Sequence, residues 1–233
     1  MKKAYSLLVA ILIGLTLFGQ MPMLGDKAPK FEAKSTKGDI SFPGDYYGKW
    51  KILFSHPADF TPVCTTEIIE LSFLQDEFKK QNTQLVVLST DGLNSHLDWV
   101  KSMEAIAYKD KGAVKIEFPI VSDVGLDISK QYGMIHPNSS STHDVRAVFI
   151  INPDDKICSI LYYPDNVGRN IDEILRTLIA LQEVDKKDRL TPANWQIGDD
   201  LMLKTPVSQE DAKKLESKKN LYSLAWYLWF EKE

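Results

Sequence analysis

Residues 49–67 read KWKILFSHPADFTPVCTTE, and this stretch decides the fold. Lys49 to Phe54 is a short, bounded strand that runs straight into a proline- and threonine-lined loop. A helix follows the loop. Thr61 suits the N-cap, Pro62 suits the first helical position, and the residue before a proline is pushed into the extended geometry that an N-cap requires. Ile68, Leu71 and Phe78, with Ile69 and Phe73 beside them, then supply an apolar stripe of helical period. Cys64 thus falls in the first turn, where free backbone N–H groups and the positive end of the helix dipole favour a thiolate.

The pattern continues outward from this unit. QLVVLS (84–89) is a nearly continuous run of the kind found in strands covered on both faces. Asp91-Gly92 turns the chain, and Ser95 is expected to cap a helix through Trp99, Met103 and Ile106. A short strand is expected at Phe118–Ser122, and a short helix at Leu126–Tyr132, ended by Gly133. VRAVFII (145–151) and ICSILYY (157–163) flank Asn-Pro-Asp-Asp-Lys and form a hairpin. Asn170 with Glu173 opens a last long helix, whose stripe is Ile171, Ile174, Leu175, Leu178 and Leu181. Strands alternating with helices, with a late hairpin, imply an α/β fold: a mixed sheet flanked by helices. A thioredoxin-like topology is among the few arrangements this permits.

Composition excludes several functions. The 233 residues are 44% hydrophobic and 26% charged, a globular balance. The net charge of −4 comes with no basic cluster, so nucleic acid is not an expected partner. Two cysteines, Cys64 and Cys158, form no Cys-x-x-Cys pair, and the four histidines have no metal-ligand spacing. Neither a cofactor nor a metal is implied.

The two ends differ from the middle. Lys2-Lys3 and the apolar run from Ala4 to Gly19 make residues 1–20 a secretory signal or an uncleaved membrane anchor, hence an exported protein. The alternative is a start at Met21 or Met23 and a cytoplasmic chain. The fold then spans residues 24–185. Residues 186–233 begin polar and turn-rich and end in LYSLAWYLWF (221–230), an apolar tail that must dock on the domain or on a second subunit. This arm predicts an obligate oligomer.

Pro57-Ala-Asp-Phe-Thr61-Pro-Val-Cys64 resembles the Pro-x-x-x-Thr-x-x-Cys motif of the peroxiredoxins. STHDVRAVFIINPD, LYYPDNVGRNIDEILR and TPANWQIGDDLM extend the likeness to the one-cysteine, long-tailed subfamily, similar to peroxiredoxin-6 and its archaeal relatives, from about Leu24 to the end. The resemblance implies a thioredoxin-like peroxidase with a C-terminal extension arm. It implies Cys64 as the peroxidatic nucleophile, Thr61 orienting the hydroperoxide, Pro57 shielding the pocket and Arg146 stabilising thiolate and peroxide together. His56, Glu67 and Arg169 match further positions around the substrate. Archaeal relatives carry cysteines in the arm, and this arm has none. Cys158 reads as structural, so an external thiol must reduce the sulfenic acid. A homodimer assembling into a ring of dimers is the implied oligomer. Two rivals lack support: no cysteine-hydrolase signature surrounds Cys64, and GDISFPG (38–44) lacks the glycine two residues before Ser41 that a lipase elbow needs. A non-enzymatic holdase remains the third alternative.

Overall fold

The computed structural model describes residues 21–233, so the expected signal or anchor in residues 1–20 lies outside the described residues. Among the described residues no helix is long and apolar enough to cross a membrane. The chain opens with a hairpin of β1 (Phe31–Ser35) and β2 (Gly38–Phe42). Then follow β3 (Trp50–Ser55), α1 (Pro62–Phe73), α2 (Gln75–Lys80), β4 (Thr83–Ser89) and α3 (Leu93–Met103). β5 (Ile120–Ser122), α4 (Asp127–Gln131), β6 (Arg146–Ile151), β7 (Ile157–Tyr163) and α5 (Ile171–Lys187) complete the domain.

Seven strands form one mixed sheet in the order β2-β1-β5-β4-β3-β6-β7. β3 pairs in parallel with β4 and antiparallel with β6, which sets the end of β3 beside the start of β6. Side chains alternate across each strand, so β3 sends Ile52 and Phe54 to one face and Leu53 to the other. The first face packs against Ile68 and Leu71 of α1, Phe78 of α2, Trp99 of α3 and Ile174 of α5. The second is covered by α4 and by the hairpin residues Phe31 and Phe42. With both faces covered, β3, β6 and nearly all of β4 are buried, which is why each carries a run of consecutive apolar residues, 52–54 in β3, 85–88 in β4 and 147–151 in β6.

Most expected elements form where the pattern puts them. Asn170 caps α5, its side chain accepting from the Glu173 N–H. Three details differ. The helical run after Cys64 is not continuous: it tightens at Leu74, whose N–H bonds the Leu71 carbonyl, and restarts as α2. Ser95 does not cap α3, which begins at Leu93 after Gly92; its hydroxyl instead donates to the Asp59 carboxylate at 2.7 Å. The β1–β2 hairpin has no counterpart in the sequence reading.

The arm is more ordered than its composition suggests. β8 (Leu201–Met202), α6 (Gln209–Leu215), β9 (Leu221–Ala225) and β10 (Leu228–Glu231) make a three-stranded antiparallel sheet in the order β8-β10-β9. Trp195 and Leu201 pack on Ala180 of α5, and the Arg176 guanidinium donates to the Trp195 carbonyl at 2.9 Å. Arg189 pairs with Glu231, fastening the last strand to the end of α5. The tail therefore folds back on its own chain through Trp229, while Leu224, Trp226 and Tyr227 stay exposed at the β9–β10 end.

Candidate active site

β3 ends at Ser55, and the loop that follows carries His56, Pro57, Asp59, Phe60 and Thr61 to the first turn of α1. Phe60 sits at φ +55°, the left-handed region that few non-glycine residues adopt, so this loop is held by its surroundings. Thr61 is extended, as an N-cap should be, yet its hydroxyl does not cap the helix. It donates to the Ala58 carbonyl at 2.8 Å, which spends its proton and leaves its lone pairs as acceptors. Cys64 occupies the third helical position and is fully buried.

Arg146, the first residue of β6, reaches the sulfur on the face of the sheet that α1 covers, the face to which Val148 and Ile150 also point. Its Nη1 donates to Cys64 Sγ at 3.2 Å and to Glu67 Oε2 at 2.7 Å. Its Nε and Nη2 both donate to the Asp165 carbonyl, at 3.0 and 2.7 Å, which fixes the plane of the guanidinium. Glu67, one turn beyond Cys64, is the hub. Its Oε1 accepts from the Arg169 backbone N–H and Nε, and its Oε2 from Arg169 Nη2 and Arg146. Arg169 spends its remaining donors on the Ser55 and Ala147 carbonyls, and it lies over the Phe54 ring with Cζ 3.3 Å from the centroid.

Burial alone would raise the Glu67 pKa, but the Arg169 hydrogen bonds and charge, and then Arg146, outweigh it and hold the group below the usual carboxylate range. Two buried guanidinium charges thus face one carboxylate. The excess positive charge lies beside the Cys64 sulfur, 3.2 Å from Arg146 Nη1.

A second buried cluster lies beside the loop. His56 Nε2 bonds Asp59 Oδ1 at 3.0 Å, His96 Nδ1 bonds Asp59 Oδ2 at 2.8 Å, and both rings are fully buried. Burial lowers the His56 pKa, against the opposing pull of Asp59. Burial would raise Asp59, but the bonds from the two histidines hold it well below the ordinary range. His56, Asp59 and Asp91 approach within 4.8 Å of one another, a spacing a metal could use, but the Asp59 carboxylate is already committed to His56, His96 and Ser95.

Of the residues picked out from the sequence, Cys64, Glu67, Arg146 and Arg169 are joined in one hydrogen-bonded group. Thr61 is the N-cap three residues before Cys64 and Pro57 is half-buried in the loop; neither they nor His56 hydrogen-bond Cys64 among the described residues. Asp59 and His96 escaped the sequence reading, as did the Asp165 carbonyl, which no side-chain pattern can announce. The rival nucleophiles are poorly placed. Ser41 lies within β2 rather than on a strand-to-helix elbow, and His143 is exposed, its Nδ1 near Ser140 and Thr142.

Residues 24–160 match the model of the AhpC/TSA family, and residues 180–219 match that of the C-terminal domain of 1-Cys peroxiredoxin. A peroxiredoxin of Methanosarcina mazei is 48% identical over 216 residues, covering 91% of this chain and 99% of its own. One from Thermotoga maritima is 44% identical over 218 residues, covering 92% and 99%. A structure of the yeast mitochondrial 1-Cys peroxiredoxin, concerned with thiol resolution via glutathione and thioredoxin systems, aligns with a TM-score of 0.81 and 38% identity, covering 91% of this chain and 100% of that one. A cysteine-to-serine mutant of the peroxiredoxin 6 of Arenicola marina aligns at 0.80 with 35% identity, over 91% and 98%. From the reach of these matches along the fold and into the arm, the chain belongs to the AhpC/TSA family as a one-cysteine peroxiredoxin, a thiol-dependent peroxidase.

Proposed function

We propose that Cys64 is the peroxidatic nucleophile, acting on hydrogen peroxide and small organic hydroperoxides. The observation that carries this assignment is the Arg146 Nη1 donor 3.2 Å from Cys64 Sγ, held there by Glu67. Attack by the sulfur forms an S–O bond as the O–O bond breaks. The departing hydroxide or alkoxide takes up a proton, and Cys64 is left as a sulfenic acid. Negative charge spreads toward the departing oxygen, where the Arg146 guanidinium stabilises it. Thr61, its proton already given to Ala58, accepts from the peroxide hydroxyl and orients it. His56 offers Nδ1 as a second acceptor. Pro57 shields the pocket from water. Glu67 and Arg169 belong to the substrate site as the supports that aim Arg146.

Reduction needs a thiol from outside the chain. The external thiol condenses with the sulfenic acid to a mixed disulfide and water, and a second thiol releases Cys64. Cys158 is no resolving partner in this reading: it is half-buried in β7, burial raises its pKa, and its thiol points to the Lys156 carbonyl at 3.5 Å. The reading also divides the chain into a thioredoxin-like peroxidase domain, residues 24–185, and a dimerisation arm, residues 186–233, whose exposed Leu224, Trp226 and Tyr227 meet a second subunit in a homodimer or a ring of dimers.

Intact-mass measurement tests the cycle. One equivalent of hydrogen peroxide should add a single oxygen atom located at Cys64, with no internal disulfide; a Cys64–Cys158 disulfide would overturn the one-cysteine cycle. Thr61→Val, which keeps the shape and removes the hydroxyl, should lower the second-order rate constant with hydrogen peroxide by about 100-fold, the scale for losing one oriented polar group in an active site. A change under about twofold would remove Thr61 from the mechanism.

A further inference from the structure

Among the described residues, His56 Nδ1 is buried and has no hydrogen-bond partner. Buried polar atoms are nearly always paired, so this one requires a reason. The reason lies in what surrounds the other nitrogen. Asp59 is ionised, and an ionised carboxylate only accepts hydrogen bonds. His56 Nε2, 3.0 Å from Asp59 Oδ1, must therefore carry a proton. His96 is constrained more tightly. Its Nδ1 faces Asp59 Oδ2 at 2.8 Å, and its Nε2 faces the Val121 carbonyl at 3.1 Å, so acceptors stand at both nitrogens and the ring carries two protons. The carboxylate is then neutralised by a buried imidazolium, and the Ser95 hydroxyl completes its shell at 2.7 Å.

With its Nε2 proton claimed by Asp59 and its pKa lowered by burial, His56 stays neutral and its Nδ1 is a bare lone pair. Ring rotation would put carbons where the two nitrogens stand, but Trp99 packs on the ring, centroids 4.9 Å apart, and the indole N–H is tied to the Thr65 hydroxyl at 3.2 Å. Thr65 is the neighbour of Cys64 in the first turn of α1. The ring is thus held by a tryptophan of α3 that is itself tied to the helix bearing the sulfur. The loop itself is anchored by the Asp59 N–H on Asp91 Oδ2 at 2.7 Å.

We propose that Asp59 and His96 are positioning residues that fix His56 in the Nε2–H tautomer, so that Nδ1 is held as a permanent hydrogen-bond acceptor, the one that the function proposed above offers to the peroxide. The proposal rests on the assignment of Cys64 and His56 above, and deepens it. The ion pair does what a neutral partner could not: an amide at position 59 offers both a donor and an acceptor, and would let His56 adopt either tautomer.

The test is side-chain nitrogen NMR on the reduced full chain at neutral pH. His56 should show a protonated Nε2 and a bare Nδ1, and His96 two protonated nitrogens. A proton on His56 Nδ1, or a neutral His96, overturns the proposal without any variant being made. In Asp59→Asn and His96→Gln the His56 signals should become those of a tautomer mixture, and the rate constant with hydrogen peroxide should fall about tenfold, the worth of one hydrogen bond. A pure Nε2–H signal in both variants, or a mixture with an unchanged rate, removes the positioning role. A wild-type chain that consumes no peroxide would instead sink the peroxidase assignment, and the tautomer measurement would still stand.

Discussion

Cys64→Ser is expected to yield a folded protein that no longer reduces hydroperoxides. A serine hydroxyl fits the same space and still accepts from Arg146, so the fold should survive within about 1.5 kcal/mol. An alcohol is not ionised at neutral pH and its hard, neutral oxygen is a far poorer nucleophile than a thiolate toward an O–O bond, so attack is lost. The rate constant with hydrogen peroxide should drop at least 10⁴-fold, about 5.5 kcal/mol of barrier. Cys158→Ser should keep the wild-type rate. Competition kinetics against a fluorescent peroxide probe reads both variants. Turnover in Cys64→Ser above about 1% of wild type, or its loss in Cys158→Ser, would move the chemistry to another residue.

Glu67→Gln should produce the largest loss of stability. The side chain is almost fully buried between Arg146 and Arg169, and neutralising it leaves two guanidinium charges facing each other in a dry interior. Breaking a buried ion pair from one side costs about 3–5 kcal/mol. The pH dependence follows from the depressed Glu67 pKa. A carboxyl whose folded value lies below its unfolded value, about 4.3, contributes stability that is fully present above that value and is lost as pH falls through the folded one. Urea unfolding should therefore find the wild type more stable by this margin at pH 7, with the gap shrinking below about pH 4. A gap independent of pH, or one below about 1 kcal/mol, would mean that Glu67 is not the hub.

Much of this arrangement is legible in the sequence, because the elements that matter are strongly periodic. The 49–67 stretch gives β3, the N-cap geometry and the helical position of Cys64 without reference to any relative. The partners of the sulfur are different. Arg146 and Arg169 are far along the chain and are brought in only by resemblance, since no local pattern specifies that β6 lies antiparallel to β3. Glu67 reads equally well as a simple helix-start acid. His96 sits at a helical spacing that suggests an ordinary surface or core histidine, and Asp59 looks like a turn residue. Their coupling exists only in three dimensions. The β1–β2 hairpin escaped because FEAKS and GDISF are short and weakly alternating. The arm's small sheet escaped because β8 is only two residues long and borrows its order from β10.

The separations within the sulfur's cluster carry a consequence for biogenesis. Arg146 stands 82 residues from Cys64, and Arg169 stands 102 residues from Glu67. A chain emerging from the ribosome cannot assemble these charges until nearly three-quarters of it has been made, because position 169 must come out before the cluster can close. Until then Cys64 sits on the nascent polypeptide without the guanidinium that the finished fold sets 3.2 Å from its sulfur.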